Sequence, residues 1–180
     1  RKKINSNQVE EIWNGDKEKE KLGVEYFGVG DLEVSHDDKL LAYSLDTKGS
    51  EYYSIFIREI VSNKIMTKEI HDTSGSITFS LDDKYIFYSK LDNNHRARKI
   101  YRHKIGNYDD NDELIFEEKS EAFTVSIGLS SDEKYYFIST SDHNTSEQYY
   151  FAADEKLPKP KLIIKRERGI LYSVNSWKGK

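Results

Sequence analysis

From Tyr26 onward, apolar and polar residues alternate with a period of two, which predicts half-buried β-strands. Ser54-Ile55-Phe56-Ile57-Arg58-Glu59-Ile60 shows the alternation, and Lys99-Ile100-Tyr101-Arg102-His103-Lys104-Ile105 repeats it with charge on the solvent side. One longer pattern is written three times, in Val34–Ser44, Thr78–Ser89 and Gly128–Ser139. Each copy reads strand end, acidic turn, Lys, then an aromatic-rich strand. Asp37, Asp82 and Asp132 mark the turns, spaced by 45 and 50 residues. Self-similarity at roughly 40–50 residues with four strands per unit is the signature of β-propeller blades.

The pattern therefore predicts an all-β chain, a partial β-propeller of about three four-stranded antiparallel blades. Residues 1–30 form a lead-in segment and outer strand, 31–71 blade one, 72–119 blade two, 120–168 blade three, and 169–180 the start of an unfinished blade. Blade one uses 32–35, 40–45, 53–60 and 64–70. Blade two uses 76–80, 85–91, 98–105 and 113–118. Blade three uses 122–128, 135–140, 147–152 and 161–165, and Gly169–Val174 opens a fourth. Residues 5–15 allow two readings. Asn7 with Glu10 forms a capping box for a helix bearing Val9, Ile12 and Trp13, or Val9–Trp13 is a short outer strand. Asp16–Lys21 is a charge run and reads as a solvated loop. Both prolines, Pro158 and Pro160, fall in one connection, so the strand interiors are free of them.

Composition sharpens this picture. Charged residues make up 33% of the 180 positions and mean hydropathy is −0.80, yet aromatic residues reach 13%. Disordered chains are aromatic-poor, so the chain folds. A net charge of −4 leaves no footprint for nucleic acid. No apolar run is long enough for a signal peptide or a membrane helix, which reads as a soluble chain without an export address. There is no Cys, which excludes disulfides and thiol nucleophiles and is compatible with a cytoplasmic setting.

Catalytic and ligand motifs are missing. No Gly-x-Ser-x-Gly occurs, and Gly28-Val29-Gly30 precedes a strand rather than a helix, which removes the phosphate-binding mechanism. The five His residues (His36, His71, His95, His103, His143) show no metal spacing and read as surface or locally bonded groups. Asp37-Asp38 and Asp82-Asp83 read as turn formers rather than Ca²⁺ ligands, and Asp109–Asp112 as a solvated acidic connection. No catalytic, cofactor-binding or metal-binding residue is assigned, and no cofactor is expected. One constellation has a functional reading. The loops between second and third strands emerge on one propeller face and carry Asp46, Glu51, Asp92, Arg96, Arg98, Asp142 and Glu147, a docking face whose polar groups would set register. The alternative is that these are ordinary solvated loops.

The residues also resemble a known family. Glu33-Val34-Ser35-x-Asp37-x-Lys39-Leu40-Leu41-Ala42-Tyr43-Ser44-x-Asp46, followed by Gly49-Ser50-Glu51-Tyr52-Tyr53, is similar to the first-blade motif of the oligopeptidase B (protease II) family in the prolyl oligopeptidase clan. Tyr88, Asp92 and Lys99–Gly106 continue the likeness. So do Glu117-Glu118, Phe123-x-Val125-Ser126-Ile127-Gly128, Asp142-His143-x-Thr145-Ser146-Glu147 and Arg166-Glu167-Arg168-Gly169-Ile170-x-Tyr172-Ser173-Val174. The likeness runs from Glu10 to Asn175, with His36 where the family usually has Pro.

The resemblance implies a seven-bladed propeller joined to an α/β-hydrolase domain with a Ser-Asp-His triad that cleaves short peptides after Arg or Lys. It also implies that the propeller admits only short peptides, and that Glu10–Asn14 is an outer strand. The triad and about half the propeller have no counterpart here, so the chain alone is expected to be inactive. Its expected partners are a hydrolase domain supplied elsewhere and, in the intact family, short basic peptides, with no nucleic acid and no membrane. The rival readings are a stand-alone interaction module and a non-functional remnant of a split gene. Missing neighbours at blades one and three predict self-association through exposed blade ends, where Tyr135, Tyr136, Phe137, Tyr149, Tyr150 and Phe151 lie near the truncated end.

Overall fold

A computed structural model describes residues 1, 2, 7–109 and 111–178. One helix, α1 (Gly15–Leu22), precedes the strands. These are β1 (Gly28–Val34), β2 (Leu40–Asp46), β3 (Tyr53–Glu59), β4 (Ile70–Phe79), β5 (Tyr85–Leu91), β6 (Ala97–Lys104), β7 (Glu113–Glu117), β8 (Thr124–Leu129), β9 (Tyr135–Ser141), β10 (Ser146–Ala152) and β11 (Lys161–Ile164). Each strand pairs antiparallel with its sequence neighbour, as β1 to β7 in one sheet and β8 to β11 in another, and neither sheet closes. This is a partial β-propeller.

β4 belongs to two blades. Its first half pairs with β3, Ile70 opposite Ile55 and Thr73 opposite Tyr53. Its second half pairs with β5, Ile77 opposite Tyr88 and Phe79 opposite Ile86. Asp72 at φ 59° and Gly75 at φ 93° turn the corner between the halves. The expected junction at residues 71 and 72 therefore lies inside one continuous strand. Blades two and three are instead joined by the irregular segment 118–123.

The thrice-written pattern folds into one turn made three times. Ser35, Ser80 and Ser130 each donate to the Asp two residues on, at 2.8, 2.8 and 2.9 Å. The same hydroxyls accept the backbone N–H of Leu40, Tyr85 and Tyr135. Asp38, Asp83 and Glu133 take the left-handed position at φ 61°, 53° and 57°. Polar side chains that bond their own backbone are what make such short turns hold. Asp83 also joins blades, accepting from the backbone N–H groups of His36 and Asp37.

Three apolar clusters fill the spaces between layers. Ala42, Ile55, Ile57, Ile77, Ile86 and Tyr88 seal blade one against blade two. Phe87, Ile100, Val125, Tyr136, Ile138 and Phe151 seal blade two against blade three. The third cluster covers the opposite face of blade one, where Leu41, Tyr43, Leu45 and Ile60 meet Ile12, Trp13 and Phe27 of the lead-in. Arg58 clamps this cover, donating to the Ile12 carbonyl at 2.7 Å and to Glu18 at 3.1 Å. The expectation that blade one ends in a bare face is thus corrected.

Four further expectations change. Asp16–Lys21 is helix, not loop. Asn14 caps it by accepting from Lys17 N–H, and Gly23 ends it at φ 64°. Of residues 5–15, residues 5 and 6 lie outside the described residues, and 10–14 form neither helix nor strand. Residues 64–70 are not one strand: Ile65 forms an isolated bridge to Arg58, Thr67 bonds His103 and Asn107, and only Ile70 joins β4, opposite Ile55. Gly169–Val174 forms no strand. Tyr172 is tied instead to Ser146 and Gln148, and Ser176 to Asp132.

Candidate functional site

The loop face is built on aspartates that close their own loops. Asp46, at the end of β2, accepts from the backbone N–H groups of Lys48, Gly49 and Glu51 at 2.9, 3.0 and 2.7 Å. Asp92, after β5, accepts from Asn94 and Arg96 N–H at 2.9 and 3.1 Å and from Arg98 Nε at 2.9 Å. Asp142, after β9, accepts from Asn144 and Thr145 N–H at 2.9 and 2.7 Å. Burial opposes the charge of Asp46 and Asp92, but these donors outweigh it and hold both carboxyls below the usual range. The Asn144 N–H leads the same effect at Asp142. Their carboxylates are spent within the fold, and Asp46 is only 1% exposed.

The loops of blades one and two touch. The Tyr52 hydroxyl donates to the Asp92 carbonyl at 3.1 Å, its ring meets His95 edge-on at 4.6 Å, and His95 lies 3.6 Å from the Glu51 carboxylate. Glu51 and Arg96 are exposed, and Arg98 is half-buried against Asp92. The blade-three loop borders another structure.

There Arg166, just past β11, bridges two buried carboxylates. Its Nη2 lies 2.6 Å from Glu118 and 2.8 Å from Glu147. Glu118 also accepts from Ser120 N–H and the Thr140 hydroxyl, both at 2.7 Å. Glu147 accepts from Arg166 N–H and Nε at 2.9 Å and from the Tyr149 hydroxyl at 3.0 Å. The guanidinium stacks on Phe123, 4.1 Å from the ring centre. Burial works against ionised Glu118, yet its donors and Arg166 keep the carboxyl below the usual range. Burial and the Glu147 hydrogen bond push Tyr149 up to about 12. Phe123, Asp142, Asn144, Arg166 and Arg168 help line an open cleft of about 280 Å³ beside this bridge.

A second buried network has the bond order of a nucleophile–base–acid relay. His103 Nε2 lies 2.5 Å from Thr67 Oγ1, and His103 Nδ1 lies 2.7 Å from Asp112, which also accepts from the Tyr88 hydroxyl. Thr67 is only 2% exposed and its hydroxyl donates to the Asn107 carbonyl. No reacting carbonyl can reach that oxygen, so the relay braces the outer edges of blades one and two rather than catalysing. Among the described residues, no group of three or more His, Cys, Asp or Glu side chains is placed to hold a metal ion.

A family model described as the prolyl oligopeptidase N-terminal β-propeller domain matches residues 16–180. The chain belongs to this propeller family. Protease 2 of Moraxella lacunata is 32% identical over 155 residues, covering 85% of this chain and 22% of the relative. Dipeptidyl aminopeptidase BI of Pseudoxanthomonas mexicana is 31% identical over 126 residues, covering 69% of this chain and 17% of the relative. Oligopeptidase B from Trypanosoma brucei, solved in a closed form with covalently bound antipain, superposes with a TM-score of 0.85 at 26% identity, over 99% of this chain and 25% of that one. Oligopeptidase B from Leishmania major shares the fold with a TM-score of 0.86 at 22% identity, over 92% of this chain and 23% of that one. The chain spans about a fifth of the length of the curated relatives it matches.

Within this propeller family frame, the structure places the seven loop-face residues as follows. It brings together Glu51 with the Asp92 loop, and Arg98 with Asp92. Glu147 is buried under Arg166. The residues that sequence reasoning passed over are Glu118, Arg166 and Tyr52, which pin one blade or loop to the next. Their signal was present only as family motif positions, since no spacing rule marks a contact across 48 residues such as Arg166 to Glu118.

Proposed function

We propose that this chain is the propeller portion of an oligopeptidase B-type serine peptidase and gates substrate access to a hydrolase domain supplied elsewhere. The observation that carries the reading is the family match over residues 16–180, together with the small share of each relative that the chain spans. Short peptides with basic residues are the substrates in this proposal, and the cytoplasm is its setting. The ordered loops of blades one and two form the rim past which a peptide would travel. The aspartates hold that rim in one shape, and rigidity is what a size filter needs.

The test uses the purified chain and a separately produced hydrolase portion, with a fluorogenic Arg-Arg peptide. The chain alone should give background hydrolysis. Adding it should confine the hydrolase portion to short peptides, provided the two share an interface of about 1,000 Å² or more. Turnover by the repurified chain alone, or unchanged cleavage of long unfolded polypeptides by the mixture, would refute the proposal.

A further inference from the structure

We infer that the space between blades two and three holds a binding site for a neutral aromatic amide, with Arg102 as its hydrogen-bond donor. The register shows what is unusual there. Ala42 lies seven residues past the turn serine Ser35 and pairs with Ile57 in blade one. Phe87 lies seven residues past Ser80 and pairs with Arg102 in blade two. Ile57 is fully buried and helps seal blade one against blade two. Arg102 holds the matching position toward blade three and is only 7% exposed. A guanidinium thus stands where the neighbouring interface has an isoleucine. Beside it opens a cavity of about 440 Å³ that reaches down to Phe87 and Phe151, a size usual for small-molecule sites. Both of its walls are strands and turns of this chain.

The Arg102 guanidinium is held in place but not used up. It lies over the Tyr85 ring, 4.4 Å from the ring centre. Its Nε and Nη2 donate to Glu113, and its Nη1 donates to the Lys156 carbonyl at 3.0 Å. A guanidinium has five N–H donors, so among the described residues one on each Nη stays open. Charge then selects the ligand. Glu113 already matches Arg102, and Asp82 matches Lys84 at 2.9 Å. Around the rim that leaves Lys156 against Asp154 and Glu155. A carboxylate ligand would bring a second negative charge to Arg102 and meet this acidic excess, while an ammonium ligand would meet the guanidinium. A neutral carbonyl oxygen takes up the open donors without either conflict, and a ring attached to it lies on Phe87 and Phe151. This inference does not depend on the peptidase reading.

Backbone amide NMR of the full chain tests it, with N-acetylphenylalaninamide as the probe. Saturable shifts should be confined to residues 80–87, 102 and 151–156, with a dissociation constant of about 1 mM. N-acetylphenylalanine, which carries a carboxylate, and phenethylamine, which carries an ammonium, should each bind about tenfold more weakly. Ala153→Leu fills the cavity and should abolish the shifts while the rest of the spectrum stays in place. Arg102→Met keeps the apolar stem and should weaken the amide about tenfold. If that variant fails to fold, the probe series and Ala153→Leu decide the matter. No saturable shift at about 20 mM probe, equal binding of the three probes, or binding that survives Ala153→Leu would each overturn the inference. If Arg102 serves only to clamp the loop at Lys156, Arg102→Met will lower stability and the parent chain will bind none of the probes.

Discussion

Removing the guanidinium of Arg166 leaves Glu118 and Glu147 facing each other without a cation, at side-chain exposures of 4% and 5%. Breaking a buried pair costs about 3–5 kcal/mol, and Arg166 is a quarter exposed, so Arg166→Leu should lose about 3 kcal/mol in urea unfolding. The pH dependence has a definite sign. The folded Glu118 carboxyl titrates below its ordinary value, so its contribution is complete above that value and drains away as pH falls through the folded one. Glu118→Gln should flatten the acid limb of stability, and an unchanged limb would assign it to other carboxylates. A turn serine offers a smaller test. Ser80→Ala removes one donated and one accepted bond at a site 7% exposed, and should lower stability by about 1–2 kcal/mol. The turn serines were legible because their pattern repeats. Arg166 was not, since it sits in the run Lys165-Arg166-Glu167-Arg168, where only packing separates the half-buried cation from its solvated neighbours.

At the scale of elements, Gly75 of β4 lets the Tyr53 ring of β3 pack close against its backbone. A Cβ on Gly75 would sit 3.0 Å from the Tyr53 ring, and the residue holds φ 93°. Gly75→Ala should therefore cost about 1–2 kcal/mol from the backbone alone, with a steric share on top. Tyr53→Ala should abolish the steric share and leave the backbone share, which a double-mutant cycle separates. Equal costs in both backgrounds would show that the ring does not set this spacing. The strands of blades two and three were readable because alternation, Pro-free interiors and repeated turns agree. Helix α1 was misread because none of its residues is buried and no apolar stripe marks it. Its true signals were the cap at Asn14 and the stop at Gly23, nine residues apart around a run rich in Lys and Glu. Asn14→Ala should cost about 1 kcal/mol and loosen the lead-in, seen as faster amide exchange in residues 15–22.

For the whole molecule, far-ultraviolet dichroism should show sheet with little helix, and helix above about a third, the globular average, would contradict the fold. Arg58→Ala should release the cover from blade one, so limited proteolysis should cut within residues 7–27 sooner than elsewhere. Equal cutting rates in the variant and the parent chain would show that Trp13 and Phe27 hold the cover unaided. The continuous strand β4 has its own consequence for how the molecule comes apart under load. Blades one and two share a backbone with no slack between them, whereas blade three hangs on the irregular segment 118–123. Stretched between its termini in a force experiment, the chain should yield in two events rather than three. One should release the contour length of blade three, and the other the length of the first two blades together.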